Sequence, residues 1–94
     1  MQPDLTIQIQ ERIAAGWVSS GITLSRQFVF LNFAQALSFV DLLGAEAEAH
    51  NHHPDIAFGW GYCSVVWSTH SAGGITERDI EMSKISDTLF QSVQ

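Results

Sequence analysis

Pro54 is the residue that most limits how this chain can fold. Proline lacks an amide proton and disfavours helical backbone at the residue before it. Pro54 must therefore end the longest helical stretch of the sequence, and it does so directly behind a histidine pair, His52-His53. That stretch opens at Asn32, a favourable N-cap, and carries Phe33, Leu37, Val40, Leu43 and Ala47 at the spacing of one helical stripe. Phe39 and Leu42 lie off the stripe and widen the apolar surface. In a small domain such a surplus suits packing against another subunit.

The flanking segments alternate between the two regular periodicities. Leu5, Ile9 and Ile13 recur at spacing four between Pro3 and Gly16, which predicts a short amphipathic helix over Asp4 to Ala15, although Ile7 falls on its other side. Gly16 to Ser20 and Ile22 to Leu31 are expected to form two strands with a turn near Ser20-Gly21. The second has Ile22, Leu24, Phe28 and Phe30 on one face and Thr23, Ser25, Gln27 and Val29 on the other. Arg26 interrupts the apolar face and is expected to snorkel at an edge.

Beyond Pro54, Phe58, Trp60 and Tyr62 alternate with Gly59 and Gly61, and Cys63, Val65 and Trp67 alternate with Ser64, Val66 and Ser68. These read as two strands, the second ending at Thr69-His70, joined as an antiparallel hairpin by a turn between Gly59 and Tyr62. After the loop Ser71-Ala72-Gly73-Gly74, Thr76 is the expected N-cap of a last helix. Asp79 completes a capping box, Ile75 serves as hydrophobic staple, and Met82, Ile85, Leu89 and Val93 form the buried stripe. The expected architecture is α+β in the order α-β-β-α-β-β-α: one domain over residues 1–94, with a four-stranded antiparallel sheet covered by helices on one face.

Composition narrows the function classes. A domain of 94 residues buries about 60 to 65% of the surface its unfolded chain exposes, and 46% hydrophobic residues give ample core material. Ten acidic against four basic residues leave a net charge of −6, which disfavours direct contact with nucleic acid or anionic lipid. Cys63 is the single cysteine, so no intramolecular disulfide framework exists and a reducing compartment is expected. Met1-Gln2-Pro3-Asp4 lacks a basic region and apolar run of the signal-peptide kind, and no stretch reaches the ~20 apolar residues of a membrane span. The expectation is a cytoplasmic protein.

The chemistry concentrates in His52, His53 and His70 with the carboxylates Glu48 and Asp79. Histidine both gives and takes protons near neutral pH, whereas a histidine pair at a helix end more often caps carbonyls or binds water. Glu48 precedes His52 by four residues, so a helical last turn would set carboxylate and imidazole on one face, fixing the ring's tautomer. Asp79, in the first turn of its helix, is expected first of all to satisfy backbone amides. His50, His52, His53 and His70 invite a metal reading, but adjacent histidines seldom aim at one ion and the chain lacks a matching ligand set; no metal is expected.

Glu48, three residues, His52-His53-Pro54, then Trp60, His70 and Asp79 together resemble the signature of the pterin-4a-carbinolamine dehydratases. The resemblance extends through Phe28-Val29-Phe30, Asn32-Phe33, Ala36 and Ala47, and through Ser68-Thr69-His70 and Glu77-Arg78-Asp79. It implies the α+β fold above, a homodimer or homotetramer, and loss of water from a 4a-hydroxytetrahydropterin to give the quinonoid dihydropterin. That reaction recycles pterin cofactor after aromatic amino-acid hydroxylases; the pterin is the substrate and no further cofactor is implied.

Carried over, the resemblance rings the pterin with His52, His53 and His70. His52 and His70 would transfer protons, Glu48 would orient His52, and His53 would hold the substrate, with Thr69 as a pterin contact and Trp60 as a pocket wall or core residue. The sequence departs from many relatives at His50 and in the apolar, glycine-rich Ile56-Ala57-Phe58-Gly59-Trp60-Gly61, which bears on pocket shape. Proteins of this fold also act as binding partners, as transcription coactivators or Rubisco assembly factors. Retention of all three histidines favours the enzyme.

Overall fold

The structure, a computed structural model, describes residues 16–94. The helix expected over Asp4 to Ala15 lies outside the described residues. Elements follow in the order β1 (Val18–Ser19), β2 (Leu24–Val29), α1 (Phe33–His50), β3 (Asp55–Gly59), β4 (Tyr62–Trp67), a 3-10 turn at His70–Ala72, and α2 (Glu77–Val93). The strands form one antiparallel sheet in the order β1-β2-β4-β3, and α1 and α2 both pack on it, as the strand alternation predicts. β3 and β4 are joined by the two-residue loop Trp60-Gly61, where Gly61 takes a φ of 83° that a side chain would oppose.

Pairing sets the register of the core. Phe28 stands opposite Cys63, Arg26 opposite Val65 and Leu24 opposite Trp67, while Phe58 and Ile56 face Cys63 and Val65 from the other edge. One face of the sheet thereby presents an apolar layer interrupted by Arg26. Phe28, Phe30, Phe39 and Phe90 cluster over it with ring centroids 4.8 to 6.4 Å apart, in tilted and edge-on geometries that favour aromatic pairs.

Three expectations are corrected. The buried stripe of α1 is Ala36, Phe39, Leu43 and Ala47, whereas Phe33 and Leu37 are 45% and 40% exposed. The expected and observed stripes share Leu43 and Ala47, so periodicity cannot choose between them; the ring cluster that receives Phe39 does. Ile22 is exposed rather than part of β2. The Ser20 hydroxyl accepts from the amides of Ile22 and Thr23, holding Ile22 in the turn. Arg26 does not snorkel to solvent: its Nη1 donates to Asp87 Oδ1 at 2.7 Å, the same oxygen that accepts from Trp17 Nε1 at 2.8 Å. Its guanidinium lies 4.4 Å from the centre of the Phe28 ring, so a cation on the apolar face is held by an ion pair to α2 and by the ring face.

Candidate active site

The site forms where the C-terminus of α1, the N-terminus of α2 and the end of β4 converge. Asn32 starts α1 as expected, its side chain accepting from the Gln35 amide. The helix ends at Asn51, which adopts left-handed backbone at φ 50° and ψ 43°. The Asn51 amide bonds to Glu48 O and the His52 amide to Ala47 O, the two bonds of a Schellman motif. That reversal separates His52 from the helical face of Glu48 and carries its ring inward.

His52 is buried, and its Nε2 lies 2.6 Å from Asp79 Oδ1. Asp79 is fully buried. Its second oxygen, Oδ2, accepts from the Thr69 hydroxyl at 2.6 Å and from the Thr76 amide at 2.9 Å. The last bond is the side-chain arm of the capping box expected for Thr76 and Asp79. An ionised carboxylate only accepts hydrogen bonds, so the ring proton of His52 sits on Nε2 and Nδ1 is left as the basic nitrogen. The other face of the site is aromatic: the His52 ring stacks on Trp67 at 5.5 Å and 20°, and Trp67 is anchored through Nε1 to the Ser86 hydroxyl.

The expectation that Glu48 orients His52 is corrected. Glu48 pairs with Nε2 of His53, and both of these side chains are exposed. The left-handed residue at position 51 is the cause, since an i,i+4 relation holds only while the backbone stays helical. Asp79 serves the capping role expected of it and is in addition the carboxylate partner of His52.

The remaining residues separate into near and far. Thr69 is buried, forms a bridge with Gly74 and directs its hydroxyl to Asp79, so that hydroxyl supports the carboxylate. His70 follows it at the exposed start of the 3-10 turn. Trp60 stands 73% exposed at the tip of the β3–β4 loop, with the whole of β3 between it and His53; it is neither core nor a neighbour of the histidines within this chain. His50 donates from Nδ1 to the Glu46 carbonyl at 2.9 Å and stays outside the cluster.

Sequence reasoning missed the Thr69–Asp79 bond and the stacking of His52 on Trp67. The capping box fixes Oδ2 of Asp79, the oxygen that Thr69 also reaches, and leaves Oδ1 for His52; no signal in the sequence pointed to Thr69 as the second donor. Among the described residues no group of three or more His, Cys, Asp or Glu side chains could hold a metal ion, and no helix is long and apolar enough to cross a membrane.

Comparison with known proteins gives a consistent picture. Residues 3–89 match the family described as Pterin 4 alpha carbinolamine dehydratase. A protein of Paracoccus denitrificans carrying the name "Putative pterin-4-alpha-carbinolamine dehydratase" is 47% identical over 70 residues, which cover 72% of this chain and 65% of that protein. A protein of the same name from Rubrobacter xylanophilus is 43% identical over 91 residues, 93% of this chain and 85% of that one. Among solved structures, a transcriptional coactivator/pterin dehydratase from Brucella melitensis superposes with a TM-score of 0.82 at 26% identity, covering 95% of this chain and 96% of that one. A pterin dehydratase-like protein identified as a RuBisCO assembly factor in the alpha-carboxysome superposes with a TM-score of 0.69 at 27% identity, covering 80% and 89%.

Proposed function

Because the chain belongs to the pterin-4a-carbinolamine dehydratase family, we propose that it removes water from a 4a-hydroxytetrahydropterin to give the quinonoid dihydropterin, in cytoplasmic recycling of a pterin cofactor. The observation that carries this reading is the buried His52–Asp79 pair, with exposed His53 next to His52 in the chain and exposed His70 next to Thr69, which bonds Asp79. The reaction breaks the C4a–O bond and forms a C4a=N5 double bond. It is slow unless an acid protonates the departing oxygen while a base takes the proton from N5.

His52 suits the base, since Asp79 holds its proton on Nε2 and leaves Nδ1 open. His70 supplies the acid, and His53, held by Glu48, binds the pterin. Each proton transfer of this kind contributes typically about 10²- to 10⁴-fold. Asp79, with Thr69 behind it, fixes the tautomer; the pterin is the substrate and the chemistry calls for no further cofactor. The test is the rate of 4a-hydroxytetrahydropterin dehydration followed by absorbance. Wild type should accelerate it, and His52→Ala, His53→Ala and His70→Ala should each lose that acceleration with the fold retained. A wild-type rate no better than buffer would sink the reading.

The far end of the domain supports self-association into a homodimer or homotetramer. Val29, Leu31, Phe33, Leu37 and Trp60 are exposed there, in segments free of charged residues within a chain of net charge −6, so two copies could meet without like-charge repulsion. The same surface suits the second reading, a binding or assembly partner like the coactivator and assembly-factor neighbours. That reading predicts partner binding that survives His52→Ala and His70→Ala.

A further inference from the structure

Arg78 is misplaced on its own helix. It occupies the first turn of α2, beside Glu77 and Asp79, where the positive end of the helix dipole favours acids and opposes a cation. Its guanidinium is turned instead to the end of α1. Nη2 donates to the carbonyls of Asn51, at 2.7 Å, and His50, at 3.3 Å. These are the carbonyls directly before His52, at the negative end of the α1 dipole, where a cation is favoured. The turn they belong to includes the one non-glycine residue with positive φ among the described residues, Asn51, a conformation that persists only where its surroundings hold it.

The two side chains of Arg78-Asp79 therefore grip the same loop at two points. Arg78 holds the backbone entering His52, and Asp79 holds the ring. The carboxylate meets one ring nitrogen, and the left-handed backbone at position 51 sets the point from which the ring reaches it.

We propose that Arg78 is a positioning residue of the site: by clamping the left-handed Asn51 turn it sets the His52 ring on Asp79 in the Nε2-protonated tautomer and fixes where His53 emerges. The consequence for catalysis rests on the dehydratase reading; the consequence for the ring does not.

Nitrogen-15 spectra of the histidine rings in the full chain test it. Wild type should show His52 in one tautomer, with an Nε2 proton slow to exchange. Arg78→Met keeps the stem of the side chain and removes the donors; it should keep a folded backbone spectrum but lose the protected ring proton and the single tautomer. Asn51→Ala strains the same turn without touching Arg78 and should give the same loss, which keeps the test available if Arg78→Met fails to fold. Asn51→Gly added to Arg78→Met relieves the left-handed position and should recover the ring signal. A folded Arg78→Met or Asn51→Ala chain whose His52 signals match wild type would overturn the clamp, as would a double variant that recovers nothing. In the dehydration assay, misplacement of His52 should lower kcat on the order of 10- to 10²-fold, and displacement of His53, which binds the pterin, should raise KM as well. A wild-type chain inactive on the hydroxypterin would remove the kinetic arm and leave the ring spectra to decide.

Discussion

His52 and Asp79, 27 residues apart in the chain, meet at 2.6 Å between Nε2 and Oδ1 in the interior of the domain. The pair ties the end of α1 to the start of α2, and its carboxylate also receives the Thr69 hydroxyl and the Thr76 amide. A buried carboxylate with its lone pairs so occupied satisfies the donors around it as much as they satisfy it.

Removing that acceptor has two separable effects. Asp79→Ala leaves the buried imidazole N–H without its acceptor, at about 1 to 3 kcal/mol of stability, and removes the capping-box arm at Thr76, at about 1 kcal/mol more, while the Thr69 hydroxyl keeps its bond to the Thr76 hydroxyl. Asp79→Asn keeps the shape, presents the ring with an amide that can select the wrong tautomer, and should lower kcat far more than it lowers the urea midpoint. Denaturation curves and dehydration rates on both variants separate the two effects.

Glu48 provides the contrast. Its pair with His53 is exposed on both sides, where such pairs contribute little. Glu48→Gln should leave the unfolding free energy within about 0.5 kcal/mol of wild type, while weakening pterin binding if His53 holds the substrate. A raised KM with an unchanged denaturation midpoint is the expected result.

Phe39 is the centre of the core, fully buried and in ring contact with Phe28, Phe30 and Phe90. Phe39→Ala should cost about 3 to 5 kcal/mol, a large share of the stability of a domain this size. Phe33→Ala, at the expected but exposed stripe position, should cost much less. Equal losses would return the helix to the phase expected from periodicity.

Cys63 is fully buried, and burial raises its thiol from the ordinary 9.0 to about 11. In the folded chain the proton therefore stays on through a range in which an unfolded chain loses it. The associated stability is complete below pH 9 and is lost as pH rises toward about 11. At pH 8, alkylation by iodoacetamide should proceed only as fast as the chain opens, so its rate should rise steeply with urea. Fast labelling of the native chain would show that the strand pairing around Cys63 is looser than described.

The sequence by itself determined what depends on near neighbours. Asn32 caps α1 because its side chain reaches an amide three residues on; Pro54 stops the chain from returning to helix; the alternation of Cys63, Val65 and Trp67 puts one face of β4 inward. The resemblance carried by Glu48, His52-His53-Pro54, Trp60, His70 and Asp79 named the family from residue types and spacing. What it could not give was which of these residues touch. Only the tertiary structure decided that Asp79 takes His52 while Glu48 takes His53, because a single left-handed residue, Asn51, turns one imidazole inward and leaves the next in solvent. It also decided the phase of α1. Two overlapping stripes satisfy the same helical period, and the one that is buried is the one whose aromatic ring finds Phe28 and Phe30 waiting on the sheet.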